Sequence, residues 1–573
     1  MVYLRILSAW AACFLWLVFY ISFAIGSTSA IALSSPYDAT IVIEGDKSIK
    51  KVNRNIFGIS LAKLHRQQWR RPVDFNSPKL KMLLEELSPT FISLDNTQLG
   101  LPFYFESTGK KPKRLSTLTS LERINLPQTG SAKQLFYAAA RDSNYNQGQP
   151  PHKNYDDLLQ YFGSLGSSPS FAIRIPIFFT DVQGVYRSLS HKLSPASGVD
   201  LIRYLNDPTD SPFGKLREKN GHKEPYDVQY IVLGNELWSN YAWENMTIDA
   251  IAGQIKIFSK EIKAIYPNIK LGVNLVDDTY PHRFFKPNAK KTYEKLIAYN
   301  RLLLDKINSD IDFVTFHAYG ALGTEDLNKP LSFTQWQYIL SQSFFKSRYG
   351  VPRKHTSFVE NNNRDISISI DEFSGPTSTL GGAVYNADYI IHMLENNYDY
   401  ATGWSLGIME PDNHFGIIGI DSTSGSESFY RKPNFFTLKL FTHHMKGDMV
   451  SYSINSPTYS TKAIAWENYY NWPAEIDIPS LSMVSSRLGD KFYVIIVNKN
   501  IALDINTNIV FNGVSIGGNV MLSILSGDSP NSTQVDMIER SQTVEGNSLD
   551  LVVKRHSVVA IEFTPALSTP KNL

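Results

Sequence analysis

The chain reads as an α/β protein: a (β/α)8 TIM barrel with a C-terminal antiparallel β-sandwich. Two patterns predict this. Between Asn55 and Ile408, eight short apolar or β-branched runs alternate with helical patterns, the rhythm of βα units around a buried parallel sheet. After Gly447 the rhythm changes to strand-like segments punctuated by Gly, Asn, Asp and Ser, which suits a small antiparallel sandwich. A doubly wound open sheet would also alternate, but the Gly-rich dinucleotide loop that accompanies it is missing. The expected domains are therefore a catalytic barrel over 50–446 and a sandwich over 447–565, with 38–49 as a candidate strand to complete the sandwich.

The predicted barrel strands are Asn55–Leu61, Phe91–Asp95, Ser170–Pro176, Val228–Gly234, Ile269–Leu275, Ile311–His317, Ile366–Asp371 and Thr402–Ile408. Helices fit between them. Ser77-Pro78 supplies an N-cap and a first-turn proline ahead of Leu80, Leu83, Leu84 and Leu87. Thr247 can cap a helix whose Ile251, Ile255, Phe258 and Ile262 share one face and which Pro267 ends. Ser197–Leu205 and Tyr385–Leu394 read the same way. Two connections, 96–169 and 318–365, are too long for plain βα loops. In a barrel, such insertions after strands lie on the catalytic face. Sandwich strands are expected over Lys491–Asn498, Asn508–Phe511, Val520–Leu525, Asp550–Lys554 and Val558–Phe563.

The amino-terminal 1–33 segment is a signal peptide or a membrane anchor. Arg5 precedes an uncharged run, Ile6 to Ile25, long enough to span a bilayer, and Ala30-Ile31-Ala32 offers a small-x-small cleavage site. Either reading places the folded part outside the cytoplasm, secreted or tethered to the membrane. The single cysteine, Cys13, falls in this segment, so no disulfide framework or cysteine-based zinc cluster is expected beyond it. With 56 basic and 54 acidic residues the net charge is +2, too balanced for a general grip on nucleic acid. Neither His-Glu-x-x-His nor a Walker loop occurs, and no metal or organic cofactor is expected.

One constellation carries chemistry. The fourth predicted strand ends in Gly234-Asn235-Glu236-Leu237-Trp238 and the seventh in Asp371-Glu372-Phe373. Both glutamates stand at C-terminal strand ends, where barrel enzymes keep their reacting groups. Two carboxyls facing across a barrel mouth suit glycoside cleavage: one gives a proton to the leaving oxygen, and the other attacks the anomeric carbon or activates water. His317 and Tyr319 close the sixth strand, and Trp238 and Trp404 could stack on a sugar face or pack into the core. Glu410, at the end of the eighth strand, is a reserve nucleophile. Arg66, Arg70 and Arg71 could attract an acidic sugar but suit a solvated surface better.

These motifs resemble clan A glycoside hydrolases, and glycoside hydrolase family 51, the α-L-arabinofuranosidases, most of all. The resemblance runs from about Asn55 to Phe563 and includes Ile56-Phe57-Gly58, Leu201 to Asn206, Gly234 to Trp238, Ile311 to Tyr319, Asp371 to Phe373 and His556 to Glu562. It implies Glu236 as acid/base, Glu372 as nucleophile, Asn235 on the hydroxyl beside the anomeric carbon, and His317 and Tyr319 lining the subsite. Two departures stand out. The glutamate that family 51 places four residues after the first-strand glycine is Ala62 here, and the second-strand Pro-Gly-Gly is replaced by Ser93-Leu94-Asp95-Asn96-Thr97. Both features help hold a furanose, so a different glycan, such as an extracellular polysaccharide entered from its middle, fits as well. The expectation is a retaining glycoside hydrolase acting on an extracellular oligo- or polysaccharide. The alternative is a non-catalytic glycan-binding or scaffold protein on the same barrel.

Overall fold

The computed structural model describes residues 37–61, 75–94, 155–175, 195–219, 221–238, 241, 246–276, 290–320, 329–344, 366–409, 415–421, 428–461, 464–466, 470–472 and 475–565. The 1–33 segment with Cys13, Ala62, Arg66, Arg70, Arg71, the basic run 110–114 and Glu410 lie outside the described residues. The chain divides into Met1–Asp38 and Ala39–Leu573, and every described element belongs to the second unit.

Eight parallel strands close a barrel in chain order: Gly58–Ser60, Phe91–Leu94, Ser170–Ile175, Tyr230–Leu233, Lys270–Leu275, Phe313–Tyr319, Ser367–Ser374 and Ala401–Gly403. Gly58 pairs with Thr402 to complete the circle. The start of the barrel is plugged by Phe91, Tyr230, Phe313 and Tyr400, all buried: Phe91 stacks on Tyr400 at 4.6 Å, and Tyr230 meets both edge-on. Gly272 makes room for this plug, since a Cβ there would sit 2.3 Å from the Phe313 ring. Chemistry is thereby confined to the other end.

All eight expected strands are present, and the first and the eighth are shortened most, each for a local reason. The first shortens because Arg54–Ile56 turns into a 3-10 helix, with Asn53 accepting from Asn55 N–H at 3.1 Å and its amide donating to the Tyr398 carbonyl at 2.6 Å. The eighth run splits. Ala401–Gly403 closes the barrel, while Gly407–Met409 leaves it to pair with Ile418–Asp421. The helices start where their caps predict: Ser77 Oγ accepts from Leu80 N–H at 3.4 Å, and Thr247 Oγ1 from Ala250 N–H at 3.1 Å.

The C-terminal region forms one nine-stranded sheet that surrounds its own apolar core. Ala39–Lys51, ahead of the barrel, sits inside this sheet between Asp448–Asn455 and Ile505–Asn512. It runs antiparallel to the first and parallel to the second, so the sheet departs from the expected antiparallel pattern at that one pair. Its Ile41 and Ile43 are fully buried.

A polar seam joins sandwich and barrel. Lys499 pairs with Asp388 at 3.2 Å, both nearly inaccessible, and also donates to Ser482 Oγ at 3.0 Å. Further along, Asn531 Oδ1 accepts from the Leu331 N–H at 3.0 Å and the Trp336 indole at 2.8 Å, while its amide donates to the Leu331 carbonyl at 2.9 Å. The same turn caps helix Leu380–Glu395, whose Thr379 gives no side-chain cap: Leu380 and Gly381 N–H donate to the Ser532 and Pro530 carbonyls at 2.8 and 2.7 Å. Asn531→Ala should lower stability by about 2–4 kcal/mol, from three hydrogen bonds at about 0.5–1.5 kcal/mol each. Urea unfolding would read this as a lower midpoint at constant slope, and an unmoved midpoint would refute it.

Candidate active site

The fourth strand delivers the first carboxyl. After Leu233 the backbone turns through Gly234 at φ 82° and Glu236 at φ 46°. The first left-handed position costs glycine nothing, and a Cβ there would strike Leu237 at 2.7 Å. The second is one that a glutamate enters at a cost of about 1–3 kcal/mol. Gly234 N–H anchors the turn on the Ile175 carbonyl at 2.8 Å. Glu236 is thereby aimed at the sixth strand, with Oε1 2.8 Å from His317 Nδ1.

The seventh strand delivers two adjacent carboxyls. Neighbouring residues on a regular strand face opposite ways. Pairing with the sixth strand slips between Phe316 and His317, and pairing with the eighth slips between Ile370 and Phe373. These irregularities let Asp371 and Glu372 share one cluster, as bulges do when they re-aim side chains. Glu372 Oε1 lies 3.2 Å from Arg174 Nη1, and its Oε2 accepts from Tyr319 OH at 2.6 Å. His317 Nδ1 is 3.4 Å from that same Oε2, so one imidazole nitrogen stands between the two glutamates.

Beneath them lies a fixed charge network. Arg174, 1 % exposed, donates from Nη2 to Asp371 Oδ2 at 2.6 Å and from Nη1 to Asn235 Oδ1. Asp371 is fully buried, and its Oδ1 accepts from Thr315 Oγ1, lies 3.4 Å from His317 Nε2 and is reached by Asn274 Nδ2 at 3.5 Å. Burial alone would push the Asp371 carboxyl up, but Arg174 and His317 override it and hold the group below the usual carboxylate range. Burial likewise opposes a charged His317. The nearby carboxylates of Glu372 and Asp371 outweigh it, with the hydrogen bond to Glu236, and hold the imidazole well above its ordinary value.

Comparison with known proteins gives this geometry its kinship. The family model described as Alpha-L-arabinofuranosidase 1 domain matches residues 141–302. The chain is 25% identical to the probable alpha-L-arabinofuranosidase C of Aspergillus terreus over 390 residues, 66% of this chain and 70% of that relative. It is 24% identical to the alpha-L-arabinofuranosidase C of Emericella nidulans, over 63% of this chain and 70% of that one. The chain is a glycosidase that resembles the family 51 enzymes of clan A. The fold agrees: the alpha-L-arabinofuranosidase of Thermotoga maritima superposes with a TM-score of 0.66 at 17% identity, covering 92% of this chain and 100% of that one.

In this glycosidase, Glu236, Glu372, Asn235, His317 and Tyr319 meet at the C-terminal end of the barrel. Trp404 joins them through Tyr319, edge-on at 5.7 Å, with Phe415 completing an aromatic wall 5.4 Å from Trp404. Trp238 meets the cluster through Asn274 rather than as part of its aromatic wall. It is 3 % exposed, packs in the barrel core and donates its indole N–H to Asn274 at 3.3 Å, which corrects its reading as a stacking platform. Four polar members of the cluster have no assigned role in the sequence reading: Arg174, Asn274, Thr315 and Asp371. Their signal was available, since Arg174 and Asn274 each interrupt an otherwise apolar strand near its C-terminal end.

Proposed function

We propose that this chain is a retaining glycoside hydrolase in which Glu372 is the nucleophile and Glu236 the acid/base. The observation that carries the reading is the shared imidazole nitrogen. At 2.8 Å from Glu236 Oε1 and 3.4 Å from Glu372 Oε2, His317 Nδ1 limits those oxygens to about 6 Å apart. That ceiling falls below the roughly 6.5–9.5 Å of inverting pairs, which must leave room for a water, and suits the retaining class near 5–5.5 Å.

In the first step a Glu372 carboxylate oxygen bonds to the anomeric carbon while the bond to the leaving oxygen breaks and Glu236 transfers its proton there. Water then attacks the same carbon, gives its proton to Glu236 and frees Glu372. Tyr319 and Arg174 each hold one oxygen of Glu372, which keeps the attacking group in a single orientation. Asn235, fixed by Arg174, is placed to hold a sugar hydroxyl beside the reacting carbon. The names of the relatives make α-L-arabinofuranosides the first substrates to try, and the changes at Ala62 and Ser93 to Thr97 add larger glycans to the panel. The uncharged run Ile6 to Ile25 supports action outside the cytoplasm.

Proton NMR of the first-formed product tests the mechanism. Retention of the anomeric configuration is expected, and an inverted first product would overturn it. Binding to a glycan that is turned over by neither route would instead favour the non-catalytic alternative.

A further inference from the structure

Asp371 makes the shorter of the two ion pairs to the cluster's arginine and has a place beside its histidine, yet it is fully buried. Arg174 meets Asp371 through Nη2 and meets Glu372 and Asn235 through Nη1. His317 is built the same way, with Nε2 beside Asp371 and Nδ1 toward Glu236 and Glu372. Each cationic group therefore has one side turned to a carboxylate that cannot touch a sugar and the other turned to the groups that can.

This asymmetry matters during turnover, and the inference rests on the hydrolase reading above. When Glu372 forms its bond to the anomeric carbon it becomes a neutral ester, and its negative charge leaves with the electron pair it donates. Arg174 and His317 then lose a partner in a site with little water to replace it, a large penalty for a buried charge. Asp371 keeps its charge throughout.

We propose that Asp371 is a positioning residue: a permanent counter-ion that holds Arg174 in place and keeps His317 charged while Glu372 alternates between carboxylate and ester. Its own anchoring fits the task. Thr315 Oγ1 donates to Oδ1, the Asp371 N–H donates back to Thr315 Oγ1 at 3.0 Å, and Thr402 Oγ1 donates to the Asp371 carbonyl. Among the described residues, the titratable groups facing His317 are Glu236 from the fourth strand's turn and Asp371 and Glu372 from the seventh. Arg174 from the third strand shares Asp371 with it, and Tyr319 shares Glu372. Of the carboxyls, Asp371 alone is fully buried.

The test is Asp371→Asn in the full chain, which keeps the size and removes the charge. Two readouts separate this idea from the hydrolase reading. The first needs no activity: nitrogen-15 histidine spectra across pH, with the His317 signal assigned by its loss in His317→Asn. Wild-type His317 is expected to remain an imidazolium at neutral pH, and in Asp371→Asn to lose its proton at least about one pH unit lower, because a negative neighbour favours the charged form. An unshifted His317 titration overturns the proposal whatever the enzyme hydrolyses. The second is kinetic: kcat should fall by about 100-fold, the scale of a misplaced reacting group, with a much smaller change in KM. An unchanged kcat overturns the proposal. If Asp371→Asn does not fold, Thr315→Val, which removes the hydroxyl that anchors Asp371 and leaves its charge, should lower kcat by a smaller step while His317 stays an imidazolium at neutral pH. An unchanged kcat, or a lost imidazolium, in that variant counts against the proposal equally.

Discussion

Replacing Glu372 with glutamine is expected to lower kcat by about 10⁴-fold or more, equivalent to about 5.5 kcal/mol of lost transition-state stabilisation. The substitution preserves size and most packing at a side chain only 6 % exposed, so the fold should survive. It removes the carboxylate proposed as the nucleophile. It also turns an amide N–H₂ toward either Arg174 or Tyr319, both of which donate to this carboxylate. Glu236→Gln gives the diagnostic contrast. Loss of a general acid costs about 10²–10⁴-fold on substrates with poor leaving groups. On an aryl glycoside whose phenolate leaves without a proton it should cost far less in kcat/KM, while kcat still falls because water attack on the ester lacks its base. Steady-state kinetics on a matched pair of substrates reads both variants. Glu372→Gln retaining activity within tenfold of wild type on either substrate would remove it from the mechanism.

The second large effect is on stability. Arg174→Met should cost about 3–5 kcal/mol, the penalty of leaving a buried carboxylate without its partner. Asp371 is fully buried and its nearest cation is this guanidinium, at 2.6 Å. The pH dependence has a definite sign. Because the folded carboxyl of Asp371 is held low, its stabilising contribution is present above the ordinary aspartate range near pH 4 and is lost as pH falls through the folded value. The deficit of Arg174→Met is therefore largest at neutral pH and shrinks in acid, where Asp371 of the variant takes up a proton. Adding Asp371→Asn to Arg174→Met should recover part of the loss, since both members of the pair are then neutral. Chemical denaturation at pH 7 and pH 4.5 measures each term. A wild-type midpoint for Arg174→Met at pH 7 would contradict this account of the buried pair.

Much of the architecture was legible because the barrel imposes strong local patterns. Strands buried on both faces read as unbroken apolar runs, and Ser77 and Thr247 mark helix starts that the backbone uses. The two glutamates were legible for a related reason, since a charged residue at the end of an apolar strand has few structural excuses. What the sequence left obscure depends on long-range contact. Asp448–Asn455 is half exposed and rich in serine and asparagine, so its strand character comes from Ala39–Lys51 pairing beside it. Met537–Val544 is almost wholly exposed and is defined by its neighbour Gly518–Leu525. Trp238 misleads because the turn at Glu236 sends the chain back over the barrel, which places the indole on Asn274. Arg174 has meaning only through Asp371, which lies 197 residues away in the chain.

The strand Ala39–Lys51 also has a consequence for biosynthesis. It is made before the barrel, yet its partners begin at Asp448 and Ile505. At about 5–20 residues per second, the ribosome takes on the order of 20–80 s to deliver the first of them. During that interval an apolar strand carrying Ile41 and Ile43 has no sheet to enter, and the sheet cannot close when it arrives without that strand. Barrel and sandwich are therefore interlocked in the order of synthesis. A fragment cut at Gly447 would carry a strand with no sheet, and one beginning there would carry a sheet with a gap between Asp448–Asn455 and Ile505–Asn512.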